Sequence, residues 1–193
     1  MLNLKENKTK KWTGTYRGVT FEINNWDYEY NGDIKENWTY YLILYLDRIP
    51  EENKPNSYWL KSKKYNGRVI YDYYKHPIIN DIDFHCGCTW YSKERGFDGE
   101  GKVIKIGCDY AHYWDVGQYY NLNYVTTDVQ HTIDKFLEHV PGYKYWCCGN
   151  GKLYDLSEGI VKNDRFYSKE YFGDKLDEFK TEIDGTKEET TNS

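Results

Sequence analysis

Two short stretches of this 193-residue chain, 84–91 and 103–115, hold the side chains best suited to chemistry. Each contains a histidine, a single glycine and at least one cysteine, and the second adds two aspartates. A histidine oriented by a carboxylate is a common arrangement for general acid–base catalysis, and the same residue types bind transition metals. These stretches are therefore the first place to look for a functional site.

Apolar and polar residues alternate in both stretches with the period of two that is typical of a β-strand. The alternation predicts an antiparallel hairpin with one buried and one exposed face. In the first strand the buried face is predicted to carry Phe84, Cys86, Cys88 and Trp90.

The exposed face of this hairpin is predicted to contain a glycine hollow, meaning a shallow depression where Gly87 faces Gly107. Only some pairing registers of the two strands keep their apolar faces on the same side of the hairpin. One of these registers places Gly87 opposite Gly107. Glycines inside strands often mark a place where a ligand or another backbone approaches closely, although a plain bulge or bend is the alternative. The same register pairs His85 with Asp109 and Thr89 with Lys105. The predicted ligand-binding residues are His85, Gly87, Thr89, Tyr91, Lys105, Gly107, Asp109, His112 and Asp115.

The same positions carry a resemblance to a known group of proteins. His85, Gly87 and Thr89, followed by Gly107, Asp109, Ala111, His112 and Asp115, match the pattern His-Gly-Gly-aliphatic-Thr-Tyr and then Gly-Phe-Asp-Cys-Ala-His-x-x-Asp. In this pattern the chain resembles small proteins of unassigned function from tailed bacteriophages. It departs from the pattern at three positions: Cys86 occupies the place of a glycine, Cys108 that of an aromatic residue and Tyr110 that of a cysteine. The resemblance implies a phage origin rather than a particular chemistry.

The first functional hypothesis is a binding protein. With 22 tyrosines and 7 tryptophans the chain is rich in side chains on which nucleotide bases stack, and Lys105 beside the hollow would meet a phosphate. Together with the phage resemblance, this predicts an inhibitor of bacterial host defence that sequesters a nucleotide immune signal of cyclic or ADP-ribose type.

Two alternatives stay open. One is a phosphodiesterase-type hydrolase, in which Asp109 orients His85 as the acid or base while His112 and Asp115 act as a second acid or as metal ligands. The other is a protein whose surface blocks a host defence protein. The sequence assigns no catalytic residue.

No cofactor is predicted, but two metal sites are alternatives. A zinc or manganese ion would suit the nitrogen and oxygen ligands of His85, Asp109, His112 and Asp115. A zinc–thiolate site would instead draw four thiolates from the five cysteines Cys86, Cys88, Cys108, Cys147 and Cys148.

Charge and hydropathy limit the partners. A net charge of −5 disfavours binding to nucleic acid, which needs a basic surface. No apolar run is long enough to span a membrane, and an odd number of cysteines without an export signal favours reduced thiols. The chain is therefore expected in the cytoplasm of an infected bacterium, with self-association left open.

The remaining pattern predicts an α+β fold, with a mainly antiparallel sheet of five to seven strands and one or two helices packed on it. Strands are predicted at 12–16, 19–26, 38–47 and 68–74, and helices at 128–139 and 168–183. The first two strands are predicted to form a hairpin with its turn at Arg17 and Gly18, and the apolar run at 40–46 predicts that the third strand is central in the sheet. Thr127 and Gln130 are predicted to form a capping box at the start of the first helix. Residues 1–183 are predicted to be a single domain, followed by a disordered tail at 184–193.

Overall fold

The computed structural model describes residues 9–30, 32–50, 62–65, 68–71, 82–95, 102–115, 117–147, 150–156, 158–162, 165–172 and 184–189. Its main layer is a six-stranded sheet in the order β12-β1-β2-β3-β7-β6, and every neighbouring pair is antiparallel. The strands are β1 (Lys10–Tyr16), β2 (Val19–Tyr30), β3 (Asp33–Tyr45), β6 (Trp90–Arg95), β7 (Lys102–Asp109) and β12 (Asp184–Glu189). The predicted α+β class is confirmed.

One long helix, α1 (Leu122–His139), packs on the sheet over β2 and β3. Its buried stripe includes Val125, Val129, Ile133 and Phe136, which are spaced three or four residues apart. These side chains meet the apolar face of the sheet, so the helix and the central strands share one core.

Short hairpins complete the described structure. They are formed by β4 (Ser62–Tyr65) with β5 (Arg68–Tyr71), β8 (Lys144–Cys147) with β9 (Lys152–Asp155), and β10 (Gly159–Lys162) with β11 (Arg165–Ser168). A four-residue helix, α2 (Lys169–Phe172), follows β11. Within the described ranges, no helix is long and apolar enough to cross a membrane.

The hairpin of β2 and β3 forms the centre of the sheet and extends beyond it. Its register runs without a break from Thr20 opposite Ile43 to Tyr30 opposite Asp33. The predicted strand at 38–47 is confirmed as central, because β3 lies between β2 and β7. Both strands are longer than predicted, and the added residues form the far end of the hairpin, which later forms one wall of a cleft.

Three predicted elements differ from the structure. Helix α1 begins at Leu122 instead of 128, and its N-cap is Asn121, whose side chain accepts a hydrogen bond from the backbone N–H of Tyr124 at 3.0 Å. Residues 184–193 are predicted to be disordered, yet Asp184–Glu189 pair with β1 as an edge strand. Of the second predicted helix, 168–183, only Lys169–Phe172 are helical among the described residues, and 173–183 lie outside them.

Candidate functional site

The segment before β6 is a turn and not a strand, which corrects the predicted hairpin. The backbone N–H of Gly87 donates to the carbonyl of Phe84 at 2.9 Å, and both Cys86 (φ +53) and Gly87 (φ +94) adopt left-handed conformations. The turn shifts the register by three residues, so that Trp90 instead of Gly87 faces Gly107. Since strand residues alternate between faces, the shift buries Tyr91 and leaves Trp90 51% exposed, the reverse of the prediction.

The predicted glycine hollow is absent. Gly87 lies in the exposed turn, and a Cβ placed on it would meet no atom within 4 Å. Gly107 lies under the neighbouring strand, where an added Cβ would come within 2.0 Å of the carbonyl oxygen of Tyr40. Gly107 therefore allows the backbone of β3 to approach β7 closely, which is one of the two explanations for a glycine inside a strand. It provides no room for a ligand.

The polar residues predicted around the hollow are divided between two places. On the face of the sheet away from α1, Thr89 donates to Asp109 at 2.7 Å, and Asp109 also accepts the backbone N–H of Ala111 at 3.0 Å. Asp109 therefore fixes the loop that follows β7 and does not orient His85. Lys105 lies on the same face and donates to Glu22 at 2.8 Å.

Glu22 is the centre of an ion-pair cluster on that face. Its carboxylate accepts hydrogen bonds from Lys105 and Asn24 at 2.8 and 3.0 Å and pairs with Lys11 at 2.7 Å. Burial alone would raise the pKa of Glu22, but the hydrogen bonds from the two lysines and Asn24 outweigh burial and lower it. In this cluster Lys105 is paired with Glu22, so it does not serve as the predicted phosphate contact.

We expect Glu22→Gln to destabilise the protein by about 2 kcal/mol at pH 7, because it removes charged hydrogen bonds from two lysines. A carboxyl whose pKa is lower in the folded state stabilises the fold at pH values above its unfolded pKa. That contribution disappears as the pH falls below the ordinary value of 4.5 and through the lower folded pKa. Urea unfolding at several pH values should therefore show the gap between wild type and variant closing in acid.

The exposed pair of Lys135 and Glu138 provides the control. Glu138→Gln should leave stability unchanged at every pH. A gap for Glu22→Gln that stays constant down to pH 3 would contradict the prediction.

On the helix side of the sheet, His85 is the centre of a second polar cluster, the His85 network. Its Nε2 lies 2.9 Å from Oδ1 of Asp115, and its Nδ1 lies 3.6 Å from a carboxylate oxygen of Asp128 on α1. The ring stacks on Tyr110 with 4.1 Å between centroids, and the Tyr110 hydroxyl donates to Asp128 at 2.7 Å. The Tyr120 hydroxyl donates to Oδ1 of Asp115 at 2.6 Å.

Asp115 anchors the loop between β7 and α1. Its Oδ2 accepts the backbone N–H of His112 at 2.9 Å, and the N–H of Asp115 returns a bond to the His112 carbonyl at 3.0 Å. Burial would raise the pKa of Asp115, but the hydrogen bonds from Tyr120, His112 and His85 outweigh burial and lower it. Burial, together with a carboxylate acceptor, raises the pKa values of Tyr110 and Tyr120. The network therefore holds Asp115 ionised, while the phenols of Tyr110 and Tyr120 are neutral hydrogen-bond donors.

A cleft of about 640 Å³ opens beside this network. One wall is the far end of the β2–β3 hairpin and the other is the loop between β7 and α1. The lining is rich in aromatic and polar side chains: Tyr28, Asp33, Ile34, Lys35, Glu36, Trp38, Tyr110, Ala111, His112, Asp115, Gly117, Gln118, Tyr119 and Tyr120. Its size lies in the range of small-molecule sites.

Of the predicted site residues, His112 and Asp115 line this cleft, and His112 has a ring nitrogen without a partner. Its Nε2 atom is buried and has no hydrogen-bond partner. Buried polar atoms almost always have a partner, so this nitrogen is an exception, and it would meet a ligand or ion only if the ring moved. Its ring centroid lies 6.2 Å from that of His85.

The predicted metal ligands are only partly brought together. Among the described residues, the one group of three or more donors that could hold an ion is His85, Cys86 and Asp115, so Asp109 and His112 are not part of it and Cys86 is added. Cys88 and Cys108 are buried, and burial raises the pKa of the Cys88 thiol to about 11. The side chains of Cys147 and Cys148 lie outside the described part of the chain.

The structure thus unites His85, His112 and Asp115 and separates them from Thr89, Lys105 and Asp109. Sequence reasoning missed the aromatic lining, Tyr110, Tyr120 and Asp128. A signal existed for Asp128, because it is an acid at the edge of the apolar stripe of α1. No local signal pointed to Tyr120, because it lies in an irregular loop.

Fold and site together define a small α+β protein with an aromatic cleft beside a His–Asp–Tyr network. No protein-family model matches this chain, and neither the curated proteins nor the solved structures contain a significant match to it.

Proposed function

We propose that the protein binds a nucleotide-type small molecule in the aromatic cleft and sequesters it, acting as a phage-encoded inhibitor of bacterial host defence. The observation that carries the binding proposal is the cleft of about 640 Å³, which is lined by five aromatic side chains and by His112. The phage role is supported by the sequence resemblance.

Aromatic side chains favour a flat ring as the ligand. Base stacking on such residues contributes about 1–3 kcal/mol for each base. Tyr119 is 98% exposed and lies in the cleft lining, so its ring is available for stacking without disturbing the core. The imidazole of His112 would add a hydrogen bond to the edge of the base.

Charges in the lining narrow the ligand class. Asp33, Glu36 and Asp115 line the cleft together with Lys35, so carboxylates outnumber lysines there. Carboxylates repel phosphate, and we therefore expect the base to enter while phosphates stay towards the mouth. A cyclic or ADP-ribose-type signal, with few phosphates for each base, suits this cleft better than a nucleoside triphosphate does.

Calorimetric titration of metal-stripped protein with ADP-ribose, a cyclic dinucleotide and ATP tests the proposal. We expect one of the first two to bind more tightly than ATP. Tyr119→Ala should weaken that binding about tenfold, since loss of one stacking contact costs about 1.4 kcal/mol. Tyr171→Ala is the control, because Tyr171 is 73% exposed and is not part of the lining.

Chromatography of the ligand after incubation separates sequestration from catalysis. An unchanged ligand supports sequestration, and conversion to product would replace it with the hydrolase alternative. The geometry favours sequestration without catalysis, because both ring nitrogens of His85 face carboxylates. If none of the three nucleotides binds, or if neither Tyr119→Ala nor His112→Ala changes binding, the proposal is overturned.

Exposed aromatic residues near the cleft favour the protein-blocking alternative. Tyr113 is 87% and Trp114 67% exposed, which is unusual for such large apolar side chains. Tyr113 is not part of the cleft lining. A Tyr113→Ala variant that keeps nucleotide binding but no longer protects phage in defence-bearing cells would favour a blocking surface.

A further inference from the structure

We propose that His85, Cys86 and Asp115 form a zinc site beside the cleft, which Asp115 also lines. One ligand atom from each residue lies within 4.8 Å of the other two. Tetrahedral zinc, with Zn–N near 2.0 Å and Zn–S near 2.3 Å, separates its ligand atoms by roughly 3.3–3.6 Å. The three donors therefore need only small shifts to surround an ion.

The turn at 84–87 creates this arrangement. In a strand, His85 and Cys86 would point to opposite faces of the sheet. The left-handed conformation of Cys86, with φ +53, breaks the alternation and brings both side chains to Asp115. A non-glycine residue in this conformation costs roughly 1–2 kcal/mol, so the fold maintains an unfavourable geometry at the residue that supplies the thiol.

Each donor already has an outer partner of the kind that supports a metal ligand. Asp128 faces the Nδ1 of His85 at 3.6 Å, which is the carboxylate–histidine arrangement common behind zinc. The indole Nε1 of Trp114 donates to the sulfur of Cys86 at 3.0 Å, and Tyr120 donates to Asp115 at 2.6 Å. These contacts would orient the ligands and stabilise a thiolate.

The ligand set selects among metals. A cysteine thiolate favours zinc over manganese or magnesium, which prefer oxygen. Three protein ligands leave one coordination position for water, for a ligand in the cleft, or for His112 with its unpaired Nε2. Zinc binds cysteine as the thiolate, so metal binding should release the proton of the Cys86 thiol.

Titration of EDTA-treated protein with Co²⁺ as the probe, followed by displacement with Zn²⁺, tests this site. We expect equimolar binding with a thiolate-to-cobalt charge-transfer band in the near ultraviolet. Cys86→Ser should abolish the band, Asp115→Asn should weaken binding at least tenfold, and Asp128→Asn should weaken it about tenfold through the outer shell.

Controls use the same residue types elsewhere in the chain. Cys88→Ala removes a buried thiol, and His131→Ala removes an imidazole that is 55% exposed. Both should keep the cobalt band. Zinc should raise the unfolding temperature of wild type but not of Cys86→Ser, while the two proteins should unfold at similar temperatures in EDTA because Cys86 is exposed.

Three results would each contradict the proposed zinc site: absence of cobalt binding, a cobalt spectrum without the thiolate band, and a band that survives Cys86→Ser. The zinc site is tested without nucleotide and the cleft without metal, so either proposal can fail while the other holds.

Discussion

Gly107→Ala is expected to destabilise the protein by about 3 kcal/mol or more. A Cβ at this position would lie 2.0 Å from the carbonyl oxygen of Tyr40 and 2.6 Å from the Tyr41 ring. The backbone oxygen belongs to the central strand and has little freedom to move, so β3 and β7 would have to separate. Urea unfolding monitored by tryptophan fluorescence gives the loss.

Gly87→Ala is the matched control for this substitution. Gly87 needs its positive φ of +94, but an added Cβ would contact nothing within 4 Å. We expect a cost of about 1 kcal/mol from the backbone conformation alone. Equal and small effects at the two glycines would contradict the close packing of β3 and β7 and would restore the predicted hollow.

His85→Ala is expected to cost about 3 kcal/mol, measured in EDTA so that no metal contributes. The substitution removes a hydrogen bond to the ionised carboxylate of Asp115, worth roughly 1.5–3 kcal/mol. It also removes the ring stacked on Tyr110, worth roughly 0.5–1.5 kcal/mol. His85 is only 15% exposed, so water replaces neither contact fully.

His131→Ala separates this effect from the general loss of a histidine–aspartate pair. His131 lies 3.1 Å from Asp83, but the two side chains are 55% and 70% exposed. Exposed pairs contribute roughly 0–1 kcal/mol, so we expect a small change. A loss for His85→Ala no larger than that for His131→Ala would show that the His85 network contributes little to stability.

Local patterns in the sequence predicted much of the fold. The hairpin turn at Arg17 and Gly18 is confirmed, and both residues have positive φ, which suits a two-residue turn. The apolar run at 40–46 predicted a central strand, and the helical spacing of Val129, Ile133 and Phe136 predicted α1. The start of α1 was missed because its first turns are less apolar, and Asn121 was not recognised as the cap.

The site was predicted less well, because one local conformation changed its geometry. The alternation at 84–91 is that of a strand, but Cys86 adopts a left-handed conformation that the pattern does not reveal. The resulting shift of three residues, an odd number, moved Thr89 and Asp109 to one side of the sheet and His85 to the other. His85, His112 and Asp115 were predicted together, but beside a glycine hollow that does not exist.

The sequence by itself determined the α+β class, the central strand, the main helix and the histidine-rich segment, because hydrophobic periodicity and turn residues act over a few neighbouring positions. Only the tertiary structure decided which partners those residues have. Asp128 and Tyr120 reach His85 and Asp115 because α1 and its preceding loop pack against the end of the sheet. The cleft likewise requires the far end of the β2–β3 hairpin to face that loop. Contacts between residues so distant along the chain follow from how the elements pack, and no local pattern records that packing.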